Sequence, residues 1–179
     1  MCSSDLHAHD HANSHEHRHD DGVTHSHAHT HDDGHTHEHR SLPAIRRLID
    51  ASALSAAGCE RAKGLFQRLA EAEAAIHDMP VEQVHLHEVG ALDSIIDVVG
   101  AVYAMEWWGA DRVVCSPLNV GGGMVRSAHG VFPVPAPATV RLLSGAPIYG
   151  GRVQKELVTP TGALLATAYA SSFGALPAM

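Results

Sequence analysis

The chain has 179 residues, and 45% of them are hydrophobic, which is enough for one domain of ordinary size with a single core. Its formal net charge of −8 at pH 7 excludes a nucleic-acid surface, because phosphate recognition needs clustered Lys and Arg. No apolar run reaches the ~18 residues of a membrane span, and the first residues lack the apolar segment of a secretion signal, so we expect a cytoplasmic protein.

Histidine dominates the start of the chain. Thirteen of the 17 histidines lie between His7 and His39, alternating with Asp, Glu, Ala, Ser and Thr. Neutral imidazole is the commonest protein ligand for first-row transition metals, and imidazoles at positions i and i+2 can bind one ion together. We therefore predict that residues 1–40 form a disordered tail that collects Ni(II), Cu(II), Zn(II) or Co(II). The metal ligands that we propose within it are His25, His27, His29, His31, His35, His37 and His39.

The composition changes at Arg40, and an α/β domain of mixed helices and strands is predicted over residues 41–172. Its first helix is marked by Ser41 as N-cap and Pro43 in the first turn. Residues 173–179 follow the last predicted helix and have the composition of a linker, which we expect to lead to a C-terminal domain that this chain lacks.

The remaining elements follow from apolar spacing and from Gly and Pro. In chain order we predict a helix at about 60–76, a strand at 81–87, a largely buried helix at 91–108 ending at Gly109, a strand at 112–115, a turn-rich stretch at 118–134, a helix from 135 or 137 to 143, and a helix at 159–170.

Residues 85–97 are rich in possible ligands. His85 and His87 would share one side of a strand, and Asp93 and Asp97 would share one face of the helix that follows. We predict that these groups, together with Glu88, converge near the intervening glycine, the carboxylates orienting the ligating imidazoles. The structural alternative is a buried core histidine, with Asp93 as a first-turn acid and Asp97 as a buried hydrogen-bonding group.

A second candidate site is the glycine-rich segment that follows. Gly121, Gly122 and Gly123 would let backbone N–H groups approach an anion, with Arg126 to bind it and His129 to donate, accept or ligate. A plain hairpin or bulge is the equally weighted alternative.

Two further sequence features have ordinary structural explanations. Thr159 and Gly162, at the start of the last predicted helix, indicate helix capping rather than an anion site. Trp107 and Trp108 are assigned to the core or to an interface rather than to a binding site.

Three long motifs, in order, give the chain a family resemblance. The segments HLHEVGALDSIIDVVG at 85–100, SPLNVGGGMVRSAHG at 116–130 with PVPAPAT at 133–139, and ELVTPTGA at 156–163 closely resemble the LarC-type nickel insertion proteins. The His-rich tract fits this family as well. In that family a segment precedes the His tract and a C-terminal domain linked to Mn(II) and CTP follows, so this chain resembles the middle of such a protein.

The resemblance implies a function. It implies a lyase-class nickel chelatase that uses CTP to insert Ni(II) into pyridinium-3,5-bisthiocarboxylic acid mononucleotide, giving the nickel pincer cofactor of lactate racemase-type enzymes. The chain would contact this mononucleotide, could contact a cofactor-accepting racemase, and could form a homo-oligomer.

Within that function the residue chemistry suggests roles. Metal ligation is assigned to His85, His87 and Glu88, catalysis to Asp93, Asp97 and His129, and substrate binding to Gly121, Gly122, Gly123 and Arg126. The rival classes are a nickel or zinc chaperone or storage protein, for which the tail suffices, and a metal-dependent hydrolase using the His and Asp residues.

Overall fold

The computed structural model describes residues 14–18, 24–28, 40–86, 92–127 and 130–175. For residues 14–18 and 24–28, and for Arg40 and His85, the description is restricted to the backbone. The chain divides into two compact units, residues 1–36 and residues 37–179. The predicted division into a tail, a domain and a linker stays a prediction.

The first unit contains a two-stranded antiparallel ribbon. Strand β1 (Ser14–Arg18) pairs with strand β2 (Thr24–Ala28), and Ser14 lies opposite Ala28 at one end of the ribbon.

In the described part of the second unit there are five α-helices, of which α2 is central. Helix α2 contacts each of the other four helices, and α5 also contacts α3 and α4. The helices are α1 (Leu42–Asp50), α2 (Ala56–His77), α3 (Leu92–Trp108), α4 (Pro137–Leu142) and α5 (Pro160–Tyr169).

A proline in the first turn of α1 and a side-chain cap on α2 mark where these helices begin, and an ion pair joins them. The predicted start of α1 is confirmed, with Ser41 as N-cap and a proline in the first turn. Helix α2 begins earlier than predicted, because the Ser55 hydroxyl accepts a hydrogen bond from the Gly58 N–H at 2.9 Å. The Lys63 ammonium lies 2.6 Å from the Asp50 carboxylate, linking the end of α1 to α2, and this contact raises the pKa of Lys63.

The strands of the second unit are short and form separate two-stranded ribbons among the described residues. Two ribbons are antiparallel, β3 (Arg40–Ser41) with β4 (His85–Leu86), and β7 (Met124–Ser127) with β8 (Gly130–Pro133). Two are parallel, β5 (Val114–Cys115) with β10 (Ser172–Phe173), and β6 (Leu118–Asn119) with β9 (Ile148–Tyr149). The predicted mixture of helix and strand is confirmed.

The core lies where α2 meets its neighbours. Phe66 and Leu69 of α2 are fully buried, as are Ile45 and Ile49 of α1. Leu48 of α1 is exposed by contrast, and it lines a cavity with Ile96 and Tyr103 of α3.

Two predictions about α3 are wrong, that it is largely buried and that its two tryptophans belong to the core. Helix α3 buries one side through Ile95, Val98 and Val102 and exposes large apolar residues on the other, so it is not largely buried. Trp107 and Trp108 are 82% and 72% exposed, which excludes a core role for both and leaves the interface interpretation.

The predicted strand at 81–87 is replaced in part by a short 3-10 turn at Val81–Gln83. The Gln83 N–H donates to the Pro80 carbonyl at 3.0 Å, so the chain turns where an extended strand was expected. Within residues 81–86, which the structure describes, strand pairing is confined to His85–Leu86. In the described residues, no helix has both the length and the apolar character that crossing a membrane requires.

Candidate functional site

The acidic residues of α3 form the described part of the first candidate site. Asp93 lies in the first turn of α3, and Asp97 lies one turn later; both are exposed. Asp97 is therefore not the buried hydrogen-bonding group of the structural alternative. The position of Asp93 also suits a first-turn acid, because the N-terminus of a helix favours negative charge.

The histidines of this segment are only partly described. His85 lies in β4, where its backbone pairs with Ser41, while His87, Glu88 and the glycine between them and α3 lie outside the described residues. The convergence of imidazoles and carboxylates near that glycine thus stays a prediction. Where the structure describes side chains, no three His, Cys, Asp or Glu residues lie together in a way that could hold a metal ion.

The glycine-rich segment crosses a distant part of the chain. Gly121 forms an isolated bridge with Glu156, and the Leu157 N–H donates to the Val120 carbonyl at 3.2 Å. Gly121 has φ +84°, and a Cβ atom there would overlap the Lys155 carbonyl oxygen. The glycine therefore permits both a left-handed backbone and the close approach of two chain segments.

Two N–H groups of the segment already have acceptors. The Gly121 N–H donates to the Asn119 side-chain oxygen at 3.1 Å, and the Gly122 N–H donates to the Lys155 carbonyl at 3.3 Å. An anion bound here would have to compete with these internal hydrogen bonds. Arg126 and the remaining glycine are thus better placed than Gly121 and Gly122 to bind an anion.

Arg126 lies in the ribbon that follows the glycines. It is exposed in β7, opposite Val131 of β8, and the Val134 N–H donates to the Gly123 carbonyl at 3.0 Å. His129 lies between the two strands in the sequence and outside the described residues. The hairpin alternative is thus correct for the stretch after the glycines, and Arg126 extends from an ordered strand rather than from a loose turn.

Sequence reasoning missed the segment that crosses the glycines. Residues 150–157 lie against 119–123: the Gly150 Cα lies near the Gly121 carbonyl, and Gln154 packs beside Gly122. Arg152 and Lys155 add two exposed basic residues to this crossing. The Gly150-Gly151 pair is a local turn signal, but nothing local in the sequence indicates which distant segment it meets.

The Thr159 side chain caps α5, as predicted. Its hydroxyl accepts a hydrogen bond from the Gly162 N–H at 3.1 Å. This bond occupies one of the N–H groups that an anion would otherwise use, so the capping interpretation is confirmed.

A cavity of about 680 Å³ lies away from the candidate residues, between α2, α3 and α5. It is lined by Arg61, Glu106, Asp111 and Tyr169 among others, and no described candidate residue lines it. The Tyr169 hydroxyl is buried and lacks a hydrogen-bond partner in the described part of the chain. Burial raises the pKa of Tyr169, the Arg61 charge partly offsets this, and the Glu106 charge adds to it.

We expect Tyr169→Phe to increase the free energy of unfolding by about 1 kcal/mol near pH 7, because the variant removes a buried hydroxyl without a partner. Since the folded-state pKa lies above the ordinary value of 10.0, wild type should also lose stability as pH rises above that value, and the variant should lose less. Urea unfolding of both proteins at pH 7 and at a pH above 10.0 measures the two effects. Tyr149→Phe is the control, because Tyr149 is exposed; an equal gain there would contradict the explanation.

Comparison with known proteins identifies the family. The family model described as nickel insertion protein matches residues 3–179. The pyridinium-3,5-bisthiocarboxylic acid mononucleotide nickel insertion protein of Desulfitobacterium hafniense strain DCB-2 is 50% identical over 138 residues, covering 77% of this chain and 34% of the relative.

Two further relatives agree. The protein of the same name from a second strain of that species is 49% identical over 138 residues, with 77% and 34% of the two chains covered. A protein of Geobacter metallireducens is 51% identical over 135 residues, with 75% of this chain and 35% of its own covered. The chain spans about a third of the length of these relatives. No solved structure gave a significant match.

The match extends over the His-rich start, the ligand-rich segment before α3, the glycine crossing and the capped start of α5. The chain belongs to the nickel insertion protein family.

Proposed function

We propose that this chain collects Ni(II) and presents it to a mononucleotide substrate within a lyase-class nickel insertase. The complete reaction would be CTP-dependent insertion of Ni(II) into pyridinium-3,5-bisthiocarboxylic acid mononucleotide, giving the nickel pincer cofactor of lactate racemase-type enzymes. The observation that carries the proposal is the identity of about half over three quarters of the chain to relatives named for nickel insertion with this mononucleotide.

The proposed path of the metal runs from imidazole to sulfur. Exchangeable imidazole sites in residues 1–40 raise the local Ni(II) concentration, as any tether does. His85, His87 and Glu88 form the receiving site, from which the ion passes to the two thiocarboxylate sulfurs, because soft sulfur ligands compete well for Ni(II). Asp93 and Asp97 orient the ligating imidazoles, and their exposure on α3 leaves them accessible to substrate.

The proposed substrate contacts lie at the glycine crossing. Arg126 binds the phosphate or a carboxylate of the mononucleotide, and His129 exchanges a proton with the substrate. Because Gly121, Gly122 and Gly123 have no side chains, the bound anion can approach the backbone closely. Arg152 and Lys155 on the crossing segment add positive charge next to the same glycines. In this proposal the positive charges of Arg152 and Lys155 add to that of Arg126 in attracting the anion.

The described residues do not fit a Mn(II)–CTP site. Mn(II) prefers several oxygen ligands, and the part of the chain with described side chains has no group of three acidic, His or Cys residues suited to a metal. We assign CTP and Mn(II) to the portion of the relatives that this chain does not cover.

The second candidate function is nickel or zinc storage or delivery without chemistry. It is favoured by the thirteen histidines between His7 and His39, which suffice to bind metal without a folded site. A metal-dependent hydrolase has no comparable support in the described residues.

An insertion assay separates the two candidates. The purified chain, supplemented with the remaining part of a relative, is incubated with CTP, Mn(II), Ni(II) and the dithiolated mononucleotide. Formation of the nickel-bound mononucleotide, detected by mass spectrometry and dependent on the added chain, is the expected result. Nickel binding without any product would support storage and contradict insertion.

We expect Arg126→Lys to weaken binding of the mononucleotide about tenfold, because lysine keeps the charge but loses the two-pronged contact of guanidinium with phosphate or carboxylate. Calorimetric titration of the mononucleotide against both proteins measures the change. Arg47→Lys, at an exposed position of α1, is the control and should bind as wild type does. Equal affinities for all three proteins would place the anion contact elsewhere.

A further inference from the structure

Helix α3 has an exposed apolar stripe along its length. Leu92, Ile96, Tyr103 and Trp107 are each more than half exposed. Gly100 lies between the inner two and is also exposed. The spacing of these five residues places them on one face of the helix, and we call them the α3 stripe. A contiguous exposed apolar surface of this kind is typical of a site that binds another protein surface.

The α3 stripe borders an apolar cavity of about 370 Å³. Leu48 and Leu54 line one side of the cavity, and Ile96 and Tyr103 line the other. Gly100 lines it as well, and a Cβ atom there would meet nothing within 4 Å beyond the backbone of its own helix. The middle of α3 therefore leaves room for a side chain from another helix, as in knobs-into-holes packing.

The stripe is complementary to its own reverse. Gly100 is the middle residue of α3, with aliphatic Leu92 and Ile96 before it and aromatic Tyr103 and Trp107 after it. In an antiparallel pair of α3 helices centred on Gly100, the aromatic residues of each copy meet the aliphatic residues of the other. The two glycines then let the helices approach closely. Such a two-fold pair uses the same surface on both copies.

Electrostatics favours the antiparallel orientation. Antiparallel helices place the positive N-terminal end of one helix dipole beside the negative C-terminal end of the other. A parallel pair would place like ends together, and it would bring Asp93, in the first turn of α3, near the partner's Asp93. Like charges at that distance repel each other.

The exposed area suits the association of two copies. The exposed parts of the stripe side chains amount to roughly 600 Å², and Leu48 at the cavity adds to this. Each partner of a standard protein–protein interface contributes about 800 Å². We propose that the α3 stripe is the interface of an antiparallel homodimer of this chain. This inference goes beyond the proposed function, which concerns a single copy, and it does not require nickel insertion to occur.

Two matched pairs of variants test the interface. Trp107→Ala is paired with Trp108→Ala, because Trp108 is also exposed but lies about 100° further round the helix, outside the stripe. Gly100→Gln is paired with Gly64→Gln, because both are exposed helix glycines whose Cβ atom would meet nothing within 4 Å. All four substitutions lie at exposed positions, so the fold should be kept, and circular dichroism checks this.

Sedimentation equilibrium of the full chain measures dimerisation, with EDTA present so that histidines cannot join two copies through a metal ion. We expect wild type to dimerise with a Kd on the order of 10 μM. Trp107→Ala and Gly100→Gln should each weaken dimerisation at least about tenfold, while Trp108→Ala and Gly64→Gln behave as wild type does. A monomeric wild type, or equal effects within either pair, would overturn the proposal. A monomeric wild type would also leave the stripe to a different chain or segment.

A charge exchange tests the orientation. Ile96→Lys and Tyr103→Glu each put a charge into the stripe, so each variant alone should dimerise more weakly than wild type. An equimolar mixture should recover dimerisation, because an antiparallel pair brings the new ammonium next to the new carboxylate. A parallel pair would keep these positions about 10 Å apart along the helix. A mixture that dimerises no better than either variant alone would overturn the antiparallel arrangement. These measurements contain no substrate, so their outcome is independent of the insertion assay.

Discussion

Replacing Asp93 with Asn is expected to reduce nickel insertion at least about a hundredfold while the domain still melts cooperatively, because the proposed role depends on the charge of the carboxylate. Asp93 is exposed in the first turn of α3, so the near-isosteric amide disturbs no packing. Loss of the favourable interaction with the helix N-terminus should cost no more than about 1 kcal/mol. The rate of product formation and the melting temperature, measured on the same protein, separate the two effects.

A second variant and a control accompany this measurement. His87→Ala should abolish insertion in the same way, since it removes a proposed nickel ligand. Asp111→Asn removes another exposed carboxylate, beyond the end of α3, and should leave the rate unchanged. If Asp93→Asn retained the wild-type rate, Asp93 would be an ordinary first-turn acid. If His87→Ala lost its cooperative melting and regained activity once refolded, that histidine would be structural.

The second large effect is expected on stability. Gly121→Ala should lower the free energy of unfolding by roughly 3 kcal/mol, from two additive causes. An alanine at φ +84° costs about 1–2 kcal/mol, and its Cβ would overlap the Lys155 carbonyl oxygen, forcing the two crossing segments apart at a further cost of about 1–3 kcal/mol. Urea unfolding monitored by circular dichroism gives the difference.

Gly145 offers a closely matched control. It has φ +83°, but a Cβ atom there would meet nothing within 4 Å, so Gly145→Ala carries the conformational cost alone. We expect that variant to lose about 1–2 kcal/mol. Equal losses at the two positions would show that the two crossing segments can move apart at no cost in free energy, so that the close contact with Lys155 does not contribute to stability.

Local signals in the sequence predicted the helices well. Ser41 with a following proline predicts the start of α1, and Gly109, with φ +62°, ends α3 where expected. The start of α2 was placed too late because the capping bond of Ser55 lies before the apolar spacing becomes regular. Errors in the helix boundaries are small, because capping and apolar periodicity depend on residues close together in the sequence.

The candidate site was harder to predict because its geometry is long-range. The three glycines were correctly identified as unusual, but their partner, residues 154–157, is more than thirty positions away and has no matching signal. The exposure of Asp93 and Asp97 was missed for a related reason. Hydropathy indicates that α3 is apolar on most sides, but it does not say which side α2 and α5 cover.

In the second unit, the residues that stabilise the fold and the residue proposed to bind substrate lie in different elements. The fully buried large side chains come mainly from helices, with Phe66 and Leu69 at the centre, whereas Arg126 lies in a two-stranded ribbon whose side chains are exposed or half-buried. Two-stranded ribbons are only marginally stable by themselves, and local opening of such elements costs much less free energy than global unfolding. If Arg126 binds the mononucleotide as proposed, the β7–β8 ribbon can adjust its shape around that ligand while the helical core remains intact, and substitutions in the ribbon should alter ligand preference with little effect on folding.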